Sequence, residues 1–358
     1  MKTGKTINEL ARELNWQNIV KRDFLVDTPK LLMDVEEDTN RIRLRFEDPV
    51  TGVFDDGFSI TRLAHRQIGE TLEIPAKYYD RMLEENPELL IHNTNSWFRE
   101  QPSRRMVRTL DGHARAFLSD RYRRIDNYDI AQAVLPIIRE MPDARVESCE
   151  LTENRMYLKV VNPRLEAEVK KGDIVQAGIV ISNSEVGLGA VSVQPLVYRL
   201  VCLNGMTVND LGQRRYHAGR MNQANEDYSL FSDETLKADD KVFMLKVQDL
   251  VRTAVDEVKF KVVVDRLKET TEVKITGHVP QVVELASREF GITANEEKGI
   301  LQHLIEGGDL SLYGFANAVT RQSQEVESYD RASELEGIGW QIINMPKDLW
   351  ARVNSEVV

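Results

Sequence analysis

Four strand candidates, at 144–151, 155–161, 173–182 and 190–202, follow one another with short turns between them, in a region richer in β-branched residues than the sequence before it. Strands joined that tightly pair antiparallel, because a parallel pair needs a crossover of a dozen or more residues. The order therefore predicts an antiparallel meander and argues against a doubly wound parallel sheet. Asn183 to Gly189 reads as a loop and Leu203-Asn204-Gly205-Met206 as a turn needing a positive φ. Upstream, Met106–Leu110 and Ala114–Leu118 flank Asp111-Gly112, a dipeptide suited to a two-residue hairpin. Between hairpin and meander, Asp126 to Glu140 reads as a helix with Ile130, Ala131, Val134, Ile137 and Ile138 on one face.

The chain of 358 residues exceeds what one hydrophobic core usually organises, and its texture changes twice. Residues 1–95 read as a mixed α/β region. It holds a helix from Ile7 capped by Thr6, an alternating strand at Arg41–Phe46, a helix opening at Ser59–Ala64, and another from Lys77 to before Pro87. Residues 96–225 read as an arginine-rich antiparallel β core. Residues 226–358 read as helical, with one long helix or a kinked pair over Asp233–Thr270, helices near 279–290 and 294–305, and a loosely packed acidic tail after Gln322. The expected class is α+β: a central antiparallel meander with helices, then a mainly helical C-terminal region.

Composition removes several function classes. The net charge of −11 excludes a uniformly basic nucleic-acid binder, so any such binding needs a local patch. Cys149 and Cys202 are the only cysteines and cannot build a disulfide framework or a cysteine-rich zinc site. No apolar run reaches membrane-spanning length and no signal peptide is visible, so the expectation is a cytoplasmic protein with no membrane partner.

The arginines are the most distinctive chemistry. Between Trp97 and Arg124 there are eight (Arg99, Arg104, Arg105, Arg108, Arg115, Arg121, Arg123, Arg124) against three acids, a local charge of +5. Guanidinium groups bind phosphate oxygens bidentately and stack on bases, and Trp97, Phe98, Phe117 and Tyr122 are interleaved as a single-strand stacking surface requires. A second cluster, Arg214, Arg215, Tyr216 and Arg220, contains no acid, and Arg199 lies just upstream of it. The competing reading is that these arginines pair with carboxylates of an otherwise acidic protein.

Catalytic patterns are weak. Pro142-Asp143 with Glu168-Val169-Lys170 loosely follows the carboxylate–carboxylate–lysine arrangement of magnesium-dependent nucleases, yet Glu272-Val273-Lys274 repeats the triplet elsewhere. His303, Glu306 and Asp309 have ligand spacing only at their first step, before Gly307-Gly308. Cys202 has His217 as its only sequence neighbour for activation, and a buried structural cysteine is the commoner outcome. No phosphate-binding glycine loop, cofactor motif or metal set is present.

Several runs together resemble one family. They are Ile74-Pro75-Ala76-Lys77-Tyr78-Tyr79, Arg108-Thr109-Leu110, Arg115 to Asn127, Ile181-Ser182-Asn183-Ser184-Glu185-Val186-Gly187, Arg199 to Gly205, and Tyr313 to Thr320. In order and over nearly the whole chain, they resemble the phage/plasmid-like family called domain of unknown function 932. The resemblance implies residence on a mobile element and supplies no catalytic residue. A fold-level analogy extends it: phage single-strand annealing proteins also place a β-meander before a long helix. The leading expectation is a non-catalytic protein that binds single-stranded DNA, annealing strands as a homo-oligomer. The expected contacts are Arg104, Arg105, Arg108, Arg115, Arg121, Tyr122, Arg123, Arg124, Arg199, Arg214, Arg215, Tyr216 and Arg220. The alternatives are a phage protein that engages a host protein and, behind it, a metal-dependent nuclease.

Overall fold

The computed structural model describes residues 1–36, 41–48, 50–189, 191–208, 233–254 and 256–355. The N-terminal part runs α1 (Ile7–Val20), β1 (Arg22–Asp27), β2 (Leu31–Val35), β3 (Ile42–Phe46), β4 (Phe58–Ile60), α2 (Arg62–Thr71), α3 (Ala76–Glu85) and α4 (Pro87–Glu100). The hairpin β5 (Arg104–Leu110) and β6 (His113–Ser119) follows, then α5 (Asn127–Glu140). The meander is β7 (Arg145–Leu151), β8 (Met156–Lys170), β9 (Asp173–Asn183), β10 (Ser192–Arg199) and β11 (Asn204–Thr207). The chain ends with α6 (Asp233–Ala254), α7 (Glu257–Thr271), α8 (Val279–Phe290), α9 (Ala294–Gly307), α10 (Leu312–Gln322), α11 (Tyr329–Ile343) and α12 (Lys347–Val353). The class is α+β, with a helical C-terminal region.

Two sheets organise these elements. The first has six strands in the order β1-β5-β6-β4-β3-β2, antiparallel except where β4 runs parallel to β6. Its Asp111-Gly112 turn takes positive φ at both residues, as the dipeptide predicts. The hairpin thus lies in the middle of the N-terminal sheet, not in the meander with which the sequence groups it. β5 pairs with β1 from Arg22↔Thr109 to Asp27↔Arg104, a link that local periodicity cannot reveal. Helices α2 to α4 cover one face and bury Ile68, Tyr79, Met82, Leu90 and Phe98 against Met33, Leu44, Val107 and Phe117.

The second sheet is the expected meander with a fifth strand added, β11, over part of the stretch read as a turn, in the order β11-β10-β9-β8-β7. Its central strands are buried on both faces, which is why they read as nearly continuous apolar runs. Leu158, Val160, Ile179 and Ile181 face α1, α5 and α6, where Leu10, Leu14, Ile130, Val134, Phe243 and Val247 meet them. Tyr157 and Lys159, on the alternate face of β8, meet Tyr329 and Glu336 of α11. Where β9 pairs with β8, opposite Val161, a Cβ on Gly178 would stand 2.4 Å from the Val160 carbonyl oxygen. Gly178→Ala is therefore expected to destabilise the fold by about 1–3 kcal/mol, read as a shift in urea midpoint at constant slope.

Three local expectations change. The stretch 59–64 begins as strand β4, and Thr61 then caps α2 by accepting the Ala64 N–H. The helical run after Asp233, by contrast, is a pair of helices as the sequence allows, the second started by Asp256 accepting the Lys259 N–H. The positive φ near 203–206 falls on Leu203 at 52°, while Gly205 lies in β11 with Met1 packed where a side chain would be. The tail after Gln322 is also not loose: α11 buries Ala332, Leu335, Ile338, Trp340, Ile342 and Ile343, its acids notwithstanding.

Candidate functional site: the charged seam between the sheets

Arg108 sits in phase with Met106 on β5 and points from the first sheet toward the second. Its side chain has 0% exposure. Nε and Nη2 donate to the two carboxylate oxygens of Asp23 at 2.8 and 3.2 Å, Nη2 also donates to Asp126, and Nη1 donates to the Glu185 carbonyl at 3.0 Å. Burial alone would raise the Asp126 carboxyl; Arg108 and Lys21 outweigh it and hold that carboxyl below its ordinary value. Burial would likewise discharge Arg108, but Asp126 and Asp23 keep it cationic.

The loop after β9 completes the seam. The Glu185 carboxylate accepts from Arg115 Nη2 at 2.6 Å and from the backbone N–H of Asn127, the first residue of α5. A carboxylate there is favoured by the helix dipole, and it frees the N-cap Asp126 for Arg108 and Lys21. Asn183 donates to the Ile125 carbonyl and to Asn127 Oδ1, and Tyr122 donates its hydroxyl to the Ser184 carbonyl. Gly187 has φ 84°, and Leu118 approaches to 2.6 Å of where its Cβ would lie. Beside this network a cleft of about 310 Å³ opens between α1, β6 and the β7–β8 turn. Trp16, Leu63, Leu110, Arg115, Thr152 and Glu185 are among its walls.

A second network ties the meander to the C-terminal helices. Arg199 donates twice to Asp173 at 2.7 Å, and the Tyr313 hydroxyl donates to the same carboxylate at 3.0 Å. Arg199 also reaches Cys202 Sγ at 3.3 Å. Cys202 is half-buried and shares a hollow of about 260 Å³ with His303 and Arg321. The histidine weighed as its activator, His217, lies outside the described residues. The nuclease pattern is dispersed: Asp143 pairs with Arg164, Glu168 accepts the Gly172 N–H, and Lys170 pairs with Asp309. Among the described residues no three His, Cys, Asp or Glu side chains gather as metal ligands.

The arginine set therefore divides. Arg108, Arg115 and Arg199 are internal ion-pair partners, and Tyr122 is held against Ser184. Arg123 donates to Asp240 and lies within 2.8 Å of Asp239 on α6, with its guanidinium 5.4 Å from the Phe243 ring centre. Arg104 and Arg121 are exposed and make no ion pair among the described residues; Arg105 is half-buried and donates to Ser103. Arg124 is exposed, with Asp23 3.9 Å away. The register Arg105↔Ser119 brings Arg104, Arg105 and Arg121 to one end of the hairpin. Arg214, Arg215, Tyr216 and Arg220 lie outside the described residues. Asp23, Asp126, Asp173 and Glu185, which fix the internal arginines, were not singled out as their partners from sequence. The available signal was an arginine in phase with buried residues of a strand.

A sequence model of the family described as domain of unknown function (DUF932) matches residues 116–345, well over half of the chain. The chain belongs to that family. No curated protein and no solved structure matches it. Among the described residues no helix is long and apolar enough to cross a membrane.

Proposed function

We propose that this member of the DUF932 family binds single-stranded nucleic acid, without catalysis, at the end of the first sheet opposite the Asp111-Gly112 turn. The observation that carries the reading is the convergence there of exposed Arg104 and Arg121 with half-buried Arg105, none of them paired with a carboxylate among the described residues, and with Arg124 close behind in sequence. Arg99 and Trp97 occupy the last turn of α4, which leads directly into β5. Trp97 is 38% exposed and takes the stacking role for which Tyr122 is not free. Phosphates neutralised by such a cluster, with a base laid on an indole, suffice for strand binding and for annealing. The assembly that annealing implies would find apolar contact area on α6 and α7, where Val242, Leu245, Val258 and Val262 are exposed.

The test is fluorescence anisotropy with a labelled single strand and its duplex across a salt series. The expected result is preference for the single strand and affinity that falls steeply with salt. Reversing Arg104, Arg121 and Arg124 together to Glu should abolish binding at moderate salt and flatten the log–log salt slope by roughly 0.7 per lost contact. No binding at low salt, or binding indifferent to the triple variant, rejects the reading.

A further inference from the structure

The loop from β6 to α5 carries three arginines, and their surroundings differ. Arg121 makes no ion pair among the described residues, and Arg124 stands 3.9 Å from Asp23. Arg123 is saturated. Its Nε and Nη2 both donate to one oxygen of Asp240, at 2.8 and 2.5 Å, and its Nη1 lies 2.8 Å from an oxygen of Asp239. Oxygens on every nitrogen of one guanidinium fork are what a bound phosphate would supply. Both carboxylates come from the first half of α6 and face solvent, 64% and 55% exposed, whereas the Arg123 side chain beneath them is 20% exposed. An open groove of about 410 Å³ between α5 and α6 sets Arg124 and Lys241 beside Asp240, so these acids border the surroundings of the neighbouring arginine too.

The contact is built to exchange. Exposed ion pairs contribute little to stability and are screened by salt. The helix itself is anchored farther along, where Phe243, Val247 and Val251 are buried against α5 and the meander and Gln248 donates to the Ala133 carbonyl. Freeing Arg123 therefore takes a rotation of two aspartate side chains and leaves α6 docked. We propose that Asp239 and Asp240 are a built-in competitor of the nucleic-acid strand, withholding Arg123 until phosphate oxygens replace their own. The inference rests on the strand-binding reading and adds to that site a brake carried by α6.

Asp239→Asn/Asp240→Asn is compared with wild type by anisotropy on the labelled single strand across the salt series. One released arginine is one further phosphate contact. The log–log salt slope should therefore steepen by roughly 0.7, with affinity raised about eightfold at ~50 mM salt and about fourfold at ~150 mM. Adding Arg123→Gln to the double variant should cancel the gain. Asp143→Asn/Glu269→Gln, which removes the same charge from carboxylates paired with Arg164 and Arg266 instead, should give no comparable rise. The urea midpoint of Asp239→Asn/Asp240→Asn should stay near wild type, which keeps the comparison between folded proteins. Wild-type binding that the double variant leaves unchanged overturns the proposal while strand binding stands. So does a gain that survives Arg123→Gln, or one that the Asp143/Glu269 variant matches. No binding by either wild type or the double variant at low salt removes the strand-binding reading and the brake with it.

Discussion

Arg108→Met is expected to destabilise the protein by about 3–5 kcal/mol, the usual cost of removing one partner from a buried ion-pair network. The substitution leaves Asp23 and Asp126 at the seam without the cation that both face, and the Glu185 carbonyl without its donor. Urea unfolding at neutral pH should show the full loss as a lower midpoint at nearly constant slope. The pH dependence follows from Asp126. Its folded-state pKa is depressed, so the stability it contributes is present above the unfolded value, about 3.9, and is lost as pH falls through the folded value. The gap between wild type and Arg108→Met should therefore narrow on acidification. Arg108→Lys should recover only part of the loss, since an ammonium cannot reach Asp23, Asp126 and the Glu185 carbonyl as one planar fork. A midpoint for Arg108→Met close to wild type would mean that Arg108 is not the buried hub of the seam.

The second large effect concerns the far side of the meander. Lys159 Nζ donates to Glu336 Oε2 at 2.6 Å, both side chains are 0% exposed, and Nζ lies 4.6 Å from the Tyr329 ring centre. Lys159→Met or Glu336→Leu alone strands one charge in the interior and should cost about 3–5 kcal/mol. The double variant replaces the pair by apolar side chains of similar length, and should return to near wild-type stability or exceed it. A double variant whose loss equals the sum of the two singles would show that the residues are not coupled, which sinks the pair as described.

The meander, the hairpin turn and most helices were legible in the sequence because their signals are local. Thr6 before Ile7, Asp111-Gly112, and the face from Ile130 to Ile138 each act within a few residues. Helices α4, α10, α11 and α12 were not read, and the rest of what escaped depends on pairing across the chain. β1 meets β5 some eighty residues later, and nothing in Arg22–Asp27 names that partner. The arginine cluster misled for the same reason. Eight arginines in one stretch read as a surface, yet strand alternation sends Arg108 inward with Met106, and its partners come from Asp23 and Asp126. Lys159 within Tyr157–Val161 carries the same hint, and so does Glu336 at helical spacing from Ala332, Gly339 and Ile343. A charge in phase with a buried face signals a partner elsewhere, though not which one.

The insertion of the hairpin between β1 and β4 bears on how the molecule can be divided. The family match opens at residue 116, inside β6, whose two neighbours β5 and β4 are contributed by earlier sequence. A fragment trimmed to the matched span would carry half a hairpin, a bare edge on each side of it, and a Glu185 loop with no Arg108 to receive. The limits within which relatives can be recognised are thus not the limits within which the chain can fold. Expression and crystallisation should begin from the full N-terminal sheet.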